Sequence, residues 1–403
     1  MRWPRSSTTT ARRHVAPTWL SVLTVLCASC AVLPGESAPA TAVDSLADVA
    51  AGSLLDTPRD FAGYPALSTL TAVSKTVLYR STSGIDGAAT EVSGLVLVPR
   101  GDPPAGGWPV VSIGHATTGT DSRCAPSTHI GLLGAVTTVI PFLANGYVVA
   151  MTDYEGLGTP GPHPYLDAAT AGNNVIDAVR AAREVEPTTS DSWIGYGVSQ
   201  GGQAVWAANE RAADYGDGLR LVGTISMSPA TDLSPLVDAM VAGTLTAEQV
   251  SLLPSVLTGL SVAHPDLQVT DYLRGTLYER RDVFAACEGE NDGLESAIAQ
   301  SVTPADYAPV DQAAADRLRA RLTEAGVPGT AATAPMFVGY GELDRLALPE
   351  WTVAAVQRAC ALGDTIELRE APGQGHGILN LGSAPAEWLD GRFAGTPAPS
   401  TCG

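Results

Sequence analysis

The chain is 403 residues long, 45% of them hydrophobic and only 16% charged, with a formal net charge of -19. That length exceeds one typical domain, yet a single α/β domain with an insertion uses it all, and the apolar share is ample for a core. The acidic balance argues against nucleic acid or anionic membrane surfaces as partners, while neutral molecules approach without penalty.

Arg2, Arg5, Arg12 and Arg13 precede a largely apolar stretch over 15–33, followed by small residues and proline through Ala40. Basic, then apolar, then small is the order of a secretory signal peptide rather than a spanning helix, and it is expected over 1–37. A bacterial chain that is secreted or held in the cell envelope follows. Ala28-Ser29-Cys30 is like the end of a bacterial lipobox, so Cys30 is a candidate lipid anchor, although Cys27 stands where leucine is usual. Ordinary cleavage between Ser29 and Ala40 is the competing expectation. No later apolar run is long enough to span a bilayer.

Beyond this segment lie Cys124, Cys287, Cys360 and Cys402. An even number of cysteines in an exported chain points to two disulfides, with three pairings open.

Two strands are predicted at 76–80 and 91–98, joined by the hairpin loop 83–87. A buried strand over 108–113 ends in Gly114-His115-Ala116-Thr117-Thr118-Gly119. A helix is predicted over 130–145, a strand over 146–151, and helical spacing over 166–184. The apolar run 193–198, a small-residue helix from Gln203 and a strand over 221–227 follow. Strands alternating with helices imply an α/β fold, a mostly parallel sheet flanked by helices, over 38–229 and 330–403. Between them, 230–329 shows no convincing strand and reads as an inserted helical cap, or lid. There Ser234-Pro235 offers an N-cap and a proline at the first helical position, Thr246 and Gln249 have capping-box spacing, and 311–325 is amphipathic. The sheet resumes over 335–340 and 365–369, with helices over 350–361 and 384–393.

Gly197-Val198-Ser199-Gln200-Gly201-Gly202 lies where the strand 193–198 turns into a helix. Gly-x-Ser-x-Gly in that setting is the nucleophile elbow of α/β-hydrolases. A hydroxyl is a poor nucleophile at neutral pH and needs an adjacent base. In this superfamily the order along the chain is serine, acid, histidine. Of the six histidines, only His264 and His376 follow Ser199. His264 falls inside the cap, whereas His376 sits in a glycine-rich loop after the final strand, so His376 is the expected base. The acid that orients it is assigned to Asp344, with Glu342 as competitor. An oxyanion needs two preorganised N–H donors. One is the backbone of Gln200, and the other is assigned to Thr117, with Thr118 next. His115 precedes Ser199 and is expected to fix its loop by bonding to backbone. Tyr154, Glu155 and His163 lie on a strand-end loop facing the same edge, where they either shape the pocket or form a simple turn. No metal, phosphate-loop or dinucleotide pattern appears, and no cofactor is expected.

These motifs resemble the secretory lipase family typified by yeast lipase A, in its bacterial branch. The stretches that carry the resemblance are Cys124-Ala125-Pro126-Ser127, Asp153-Tyr154-Glu155-Gly156, the elbow, Asp344 and His376. It implies an α/β-hydrolase core with a helical lid, hydrolysis of a neutral ester or lipid, and bridges matching Cys124–Cys287 and Cys360–Cys402. The yeast enzyme has an acidic residue near the place of Thr117 and Thr118. A secreted serine carboxylic-ester hydrolase is therefore expected. A serine peptidase of the prolyl-oligopeptidase or aminopeptidase type is the alternative, and a non-catalytic cell-wall protein a third reading. Acyl length, alcohol and oligomeric state are left open by the sequence.

Overall fold

The computed structural model describes residues 45–403. The expected signal peptide, and with it Cys27 and Cys30, lies outside the described residues. Nine strands form one sheet: β1 (Arg59–Asp60), β2 (Thr71–Thr82), β3 (Ala89–Pro99), β4 (Trp108–Gly114), β5 (Val148–Thr152), β6 (Thr189–Val198), β7 (Arg220–Met227), β8 (Met336–Gly341) and β9 (Ile366–Ala371). Their order is β1-β2-β3-β5-β4-β6-β7-β8-β9. The first three strands and the β3–β5 pair run antiparallel. From β5 to β9 every pairing is parallel. The α/β-hydrolase fold class expected from the sequence is the one observed.

The helices before the insertion are α1 (Pro65–Leu70), α2 (Val136–Ala144), α3 (Ala168–Val185) and α4 (Gln200–Tyr215). Side chains alternate across a strand, so a strand covered on both faces must be apolar throughout. In register, Val110 pairs with Trp193 and Val111 with Ile194. Val110 and Trp193 pack under α3 and α4 with Val175, Val179 and Val205. Val111 and Ile194 pack on the opposite face with Leu67, Val139 and Leu143 of α1 and α2.

Between β7 and β8 the described residues form helices only: α5 (Leu236–Ala242), α6 (Ala247–Ala263), α7 (Gly275–Glu279), α8 (Arg281–Ala285), α9 (Asp292–Ser301), α10 (Pro304–Tyr307) and α11 (Gln312–Ala325). They pack around one apolar cluster, in which Leu253, Val256 and Leu260 of α6 and Leu318 and Leu322 of α11 are buried together with Tyr165, Leu166 and Trp351 from outside the insertion. The Thr246–Gln249 capping box opens α6. The helix expected from Pro235 starts one residue later, with Pro235 itself as cap and no side-chain cap bond. After β8 come α12 (Pro349–Leu362) and α13 (Ala384–Phe393). Among the described residues no single helix is long and apolar enough to cross a membrane.

The helix expected over 130–145 is shorter. Leu132 and Leu133 take φ of 53° and 46°, which an α-helix cannot accommodate. A 3-10 turn over Leu132–Gly134 results, and α2 begins only at Val136. The flanking Gly131 and Gly134 weaken helix there, whereas Val139 and Leu143 keep the apolar spacing that buries α2.

Candidate active site

In a parallel sheet the carboxyl ends of the strands share one edge, so residues just beyond β4, β6, β8 and β9 come together. Ser199 follows β6 directly and caps α4, with φ 57° and ψ −116°. Such a backbone costs of order 1–3 kcal/mol and persists only where neighbours over-determine it. Three backbone bonds do so here. Ser199 N–H donates to Met227 O (2.9 Å), and Ser199 O accepts from Gln203 N–H (3.1 Å) and Ala230 N–H (3.2 Å). The turn also needs glycine. A β-carbon on Gly197 would collide with the Gly201 carbonyl, and one on Gly201 with the Gly114 carbonyl.

His376 lies in the loop after β9, half-buried. Its Nδ1 is 2.7 Å from Asp344 Oδ2, and its Nε2 is 2.7 Å from Ser199 Oγ. Asp344 is buried, and its other oxygen accepts the N–H groups of Leu346 (2.9 Å) and Ala347 (3.0 Å). An ionised carboxylate only accepts, so Nδ1 carries the proton and Nε2 is free to accept from the serine hydroxyl. Leu343 N–H donates to Gln374 O (2.8 Å), pinning the two loops side by side. The competitor, Glu342, is exposed and accepts from Gly373 N–H (2.7 Å), away from the imidazole. His264 caps the far end of α6 and takes no part in this edge.

Gln200 is the first residue of α4, where unpaired N–H groups and the helix dipole favour negative charge. Among the described residues, the N–H groups of Gln200 and Thr117 are bonded to no backbone acceptor. Thr117 lines the same cavity as Ser199 and His376. Thr118 instead turns its hydroxyl to Cys124 O (2.9 Å). The cavity has a volume of about 290 Å³, and Leu252, Ser255, Val283 and Phe284 of α6 and α8 form much of its wall. Its mouth carries Glu248, Glu288, Asp292 and Glu295, a negative rim. Partial desolvation, with Asp292 nearby, raises the pKa of Glu288 from its ordinary value. Among the described residues no group of three His, Cys, Asp or Glu side chains could hold a metal ion.

Cysteine pairing joins Cys124 to Cys287 and Cys360 to Cys402, the bridges that the resemblance implies. The first bridge straps the loop after β4 to the end of α8. Thr120 and Asp121 N–H donate to Ala285 O, and Glu288 N–H donates to Thr118 O. Replacing both Cys124 and Cys287 by alanine is expected to cost about 2–5 kcal/mol of stability, because the bridge closes a long loop in the unfolded chain. A thermal midpoint unchanged from wild type under oxidising conditions would contradict this.

The sequence model of the secretory lipase family matches residues 128–401, a span that contains Ser199, Gln200, Asp344 and His376. The chain belongs to the secretory lipase family. Lipase 10 of Candida albicans is 24% identical over 305 residues, which cover 69% of this chain and 62% of that protein, so less than two-thirds of that relative is spanned. A Mycobacterium tuberculosis protein named "Probable inactive lipase MT1628" is 33% identical over 172 residues, 39% of this chain and 37% of that one. The solved structure of Candida antarctica lipase A superposes with a TM-score of 0.70 at 17% identity, covering 89% of this chain and 85% of that one. A rice cell wall degrading esterase, LipA from Xanthomonas oryzae, gives a TM-score of 0.64 at 18% identity, covering 86% and 97%.

Several residues that hold this site carry no local sequence signal. Ser228 follows β7 with φ 44°. Its hydroxyl donates to Gly377 O (3.1 Å) and accepts from Gly377 N–H (3.3 Å), which holds the backbone beside His376. Two of the stretches that carry the family resemblance, 124–127 and 153–156, are bonded to each other. Buried Asp153 accepts from Ser127 N–H (2.9 Å), Ser127 Oγ (2.5 Å) and Ser93 Oγ (2.6 Å). His115 Nδ1 lies 2.6 Å from Ala116 O and its Nε2 3.3 Å from Asp153 O, the backbone-fixing position expected of it. Tyr154, Glu155 and His163 do not line the cavity.

Burial, followed by the nearby Asp167, raises the Glu155 carboxyl from 4.5 to about 7. One of its oxygens is buried without a partner. Between the two values the group is neutral when folded but ionised when unfolded. Its contribution to stability is therefore full below about 4.5 and is lost as pH rises through about 7. Glu155→Gln is expected to flatten this part of the profile. Equal wild-type and variant denaturation midpoints at pH 5 and at pH 8 would contradict it.

Proposed function

We propose that this chain is an exported carboxylic-ester hydrolase in which Ser199 is the nucleophile, His376 the general base and acid, and Asp344 the residue that orients it. The observation that carries the reading is the placement of His376 2.7 Å from both Ser199 Oγ and Asp344 Oδ2. Ser199 Oγ attacks the ester carbonyl as its proton passes to His376 Nε2. The oxyanion is held by the N–H groups of Gln200 and Thr117. His376 then returns the proton to the leaving alkoxide, and an acyl-Ser199 ester remains. Water activated by the same imidazole releases the acid. Residues 38–229 and 330–403 form the hydrolase core and 230–329 the cap, which supports the reading by walling the cavity with α6, α8 and α9. The preceding 1–37 are the signal peptide, and Cys30 is a candidate lipid anchor within it. The acidic rim favours a neutral ester or lipid over an anionic one and repels the carboxylate product.

The name of the Mycobacterium tuberculosis relative favours a second, non-catalytic reading. Mature protein incubated with p-nitrophenyl esters of rising acyl length and with aminoacyl anilides separates the readings. Ester turnover is expected. Turnover of anilides alone would move the assignment to a peptidase, and turnover of neither to the non-catalytic reading.

A further inference from the structure

Two side chains from one loop, residues 153–167, each reach one of the two residues assigned as oxyanion donors. His163 and Tyr165 are two positions apart, both buried, with ring centroids 5.9 Å apart edge to face. His163 Nε2 is 3.0 Å from Gln200 Nε2. Tyr165 OH is 2.6 Å from Thr117 Oγ1. A third aromatic of the loop, Tyr154, donates its hydroxyl to His115 O (3.0 Å) at the base of the Thr117 loop and tilts its ring against His115.

The proton positions are mutually consistent. His163 Nδ1 lies 2.7 Å from Glu155 O, a carbonyl that can only accept. Nδ1 therefore carries the hydrogen, and Nε2 must accept from the Gln200 amide N–H. Turning that amide over would set its oxygen against the Nε2 lone pair, so the assigned orientation is the bonded one. Burial keeps His163 neutral by pushing its pKa down to about 4. The Gln200 amide oxygen is buried without a partner, so the His163 bond alone orients that side chain.

From this we propose that the loop 153–167 is the frame of the oxyanion hole, with His163 and Tyr165 as positioning residues that set the N–H groups of Gln200 and Thr117. The proposal rests on the hydrolase reading above. The physical reason is geometric. An oxyanion donor works only within about 2.7–3.1 Å of where the oxygen will sit, and it must be held there before the charge forms. Backbone N–H groups take their aim from their peptide planes. A bond from a buried side chain of this loop, His163 or Tyr165, removes freedom from the residue carrying each plane. Placing both bonds on one loop couples the two donors, so they are spaced by one body rather than by two.

Tyr165→Phe keeps the ring and removes the hydroxyl. Losing an oxyanion donor outright costs about 10²–10³-fold in kcat, and loosening one is expected to cost roughly tenfold. With active sites titrated, Tyr165→Phe should lower kcat about tenfold and leave KM within about twofold. It should weaken a trifluoromethyl ketone, which forms a tetrahedral oxyanion on Ser199, by the same factor as kcat. Thr117→Val, which faces the cavity and leaves the Tyr165 ring packed, should give the same pattern, and Thr117→Ser should restore wild-type values. The double variant Tyr165→Phe with Thr117→Val should be no worse than either single one, because both remove one bond. His163→Leu should repeat the pattern through Gln200. A purely structural role would lower the thermal midpoint and the titrated active fraction while leaving kcat per active site and the ketone affinity unchanged, and that result overturns the proposal. Losses in the double variant that multiply overturn it as well. A wild-type protein that turns over no ester sinks the hydrolase reading first, and this one with it.

Discussion

Ser199→Ala is expected to lower kcat for ester hydrolysis by roughly 10⁴–10⁶-fold, with KM changed little. The size follows from what is removed. Among the described residues no other hydroxyl lies within hydrogen-bond reach of His376 Nε2, so the variant has no substitute nucleophile at that position. What remains is binding, orientation and the oxyanion donors, worth roughly 10³–10⁴ over water. The fold is expected to survive, because the bonds that hold the elbow run through the backbone of Ser199 and not its side chain. A thermal midpoint near wild type separates chemical loss from unfolding. Retention of more than about one per cent of wild-type kcat, after contaminating activity is excluded with a titrant, would remove Ser199 from its assigned role.

Asp344→Asn is expected to cost about 10⁴-fold in kcat through the tautomer rather than the geometry. Asp344 Oδ1 accepts two backbone N–H groups, from Leu346 and Ala347. An asparagine would keep its carbonyl oxygen there and present its NH₂ to His376 Nδ1. That face of the imidazole would then have to accept, which moves the ring proton to Nε2 and points it at the serine hydroxyl. Ser199 would lose its base with no atom displaced by more than a few tenths of an ångström. Glu342→Gln is the matched control, since Glu342 is exposed and bonded to Gly373 N–H. A loss of the same size in Glu342→Gln, together with a near-wild-type Asp344→Asn, would exchange the two carboxylates.

Much of this arrangement was legible in the residues, because it depends on local patterns that repeat along the chain. Alternating strands and helices fix a parallel sheet. A parallel sheet delivers its strand ends to one edge, so the position of Ser199 after β6, Asp344 after β8 and His376 after β9 follows from chain order alone. Pairing of the cysteines came only with the family resemblance, since four cysteines allow three pairings. Less visible were features set by contact between distant segments. Nothing local marks Ser228 as the residue that holds Gly377, or Ser127 as a partner of Asp153. From sequence alone, Tyr154, Glu155 and His163 either shape the pocket or form a simple turn, and Tyr165 has no signal, yet His163 and Tyr165 reach Gln200 and Thr117 across 37 and 48 positions of sequence. The helix placed over 130–145 failed for a different reason. Apolar spacing there is genuine, but the backbone of Leu132 and Leu133 is left-handed, and side-chain periodicity carries no information about that.

On the proposed function, one hydroxyl, made nucleophilic by His376, carries the acyl group. The most direct test is mass spectrometry of the mature protein quenched during turnover of a p-nitrophenyl ester or after treatment with a fluorophosphonate. A single adduct is expected, on the peptide that contains Ser199, absent from Ser199→Ala and formed far more slowly in His376→Ala. An adduct on any other residue, or ester turnover by Ser199→Ala at the wild-type rate with no adduct at all, would contradict the account.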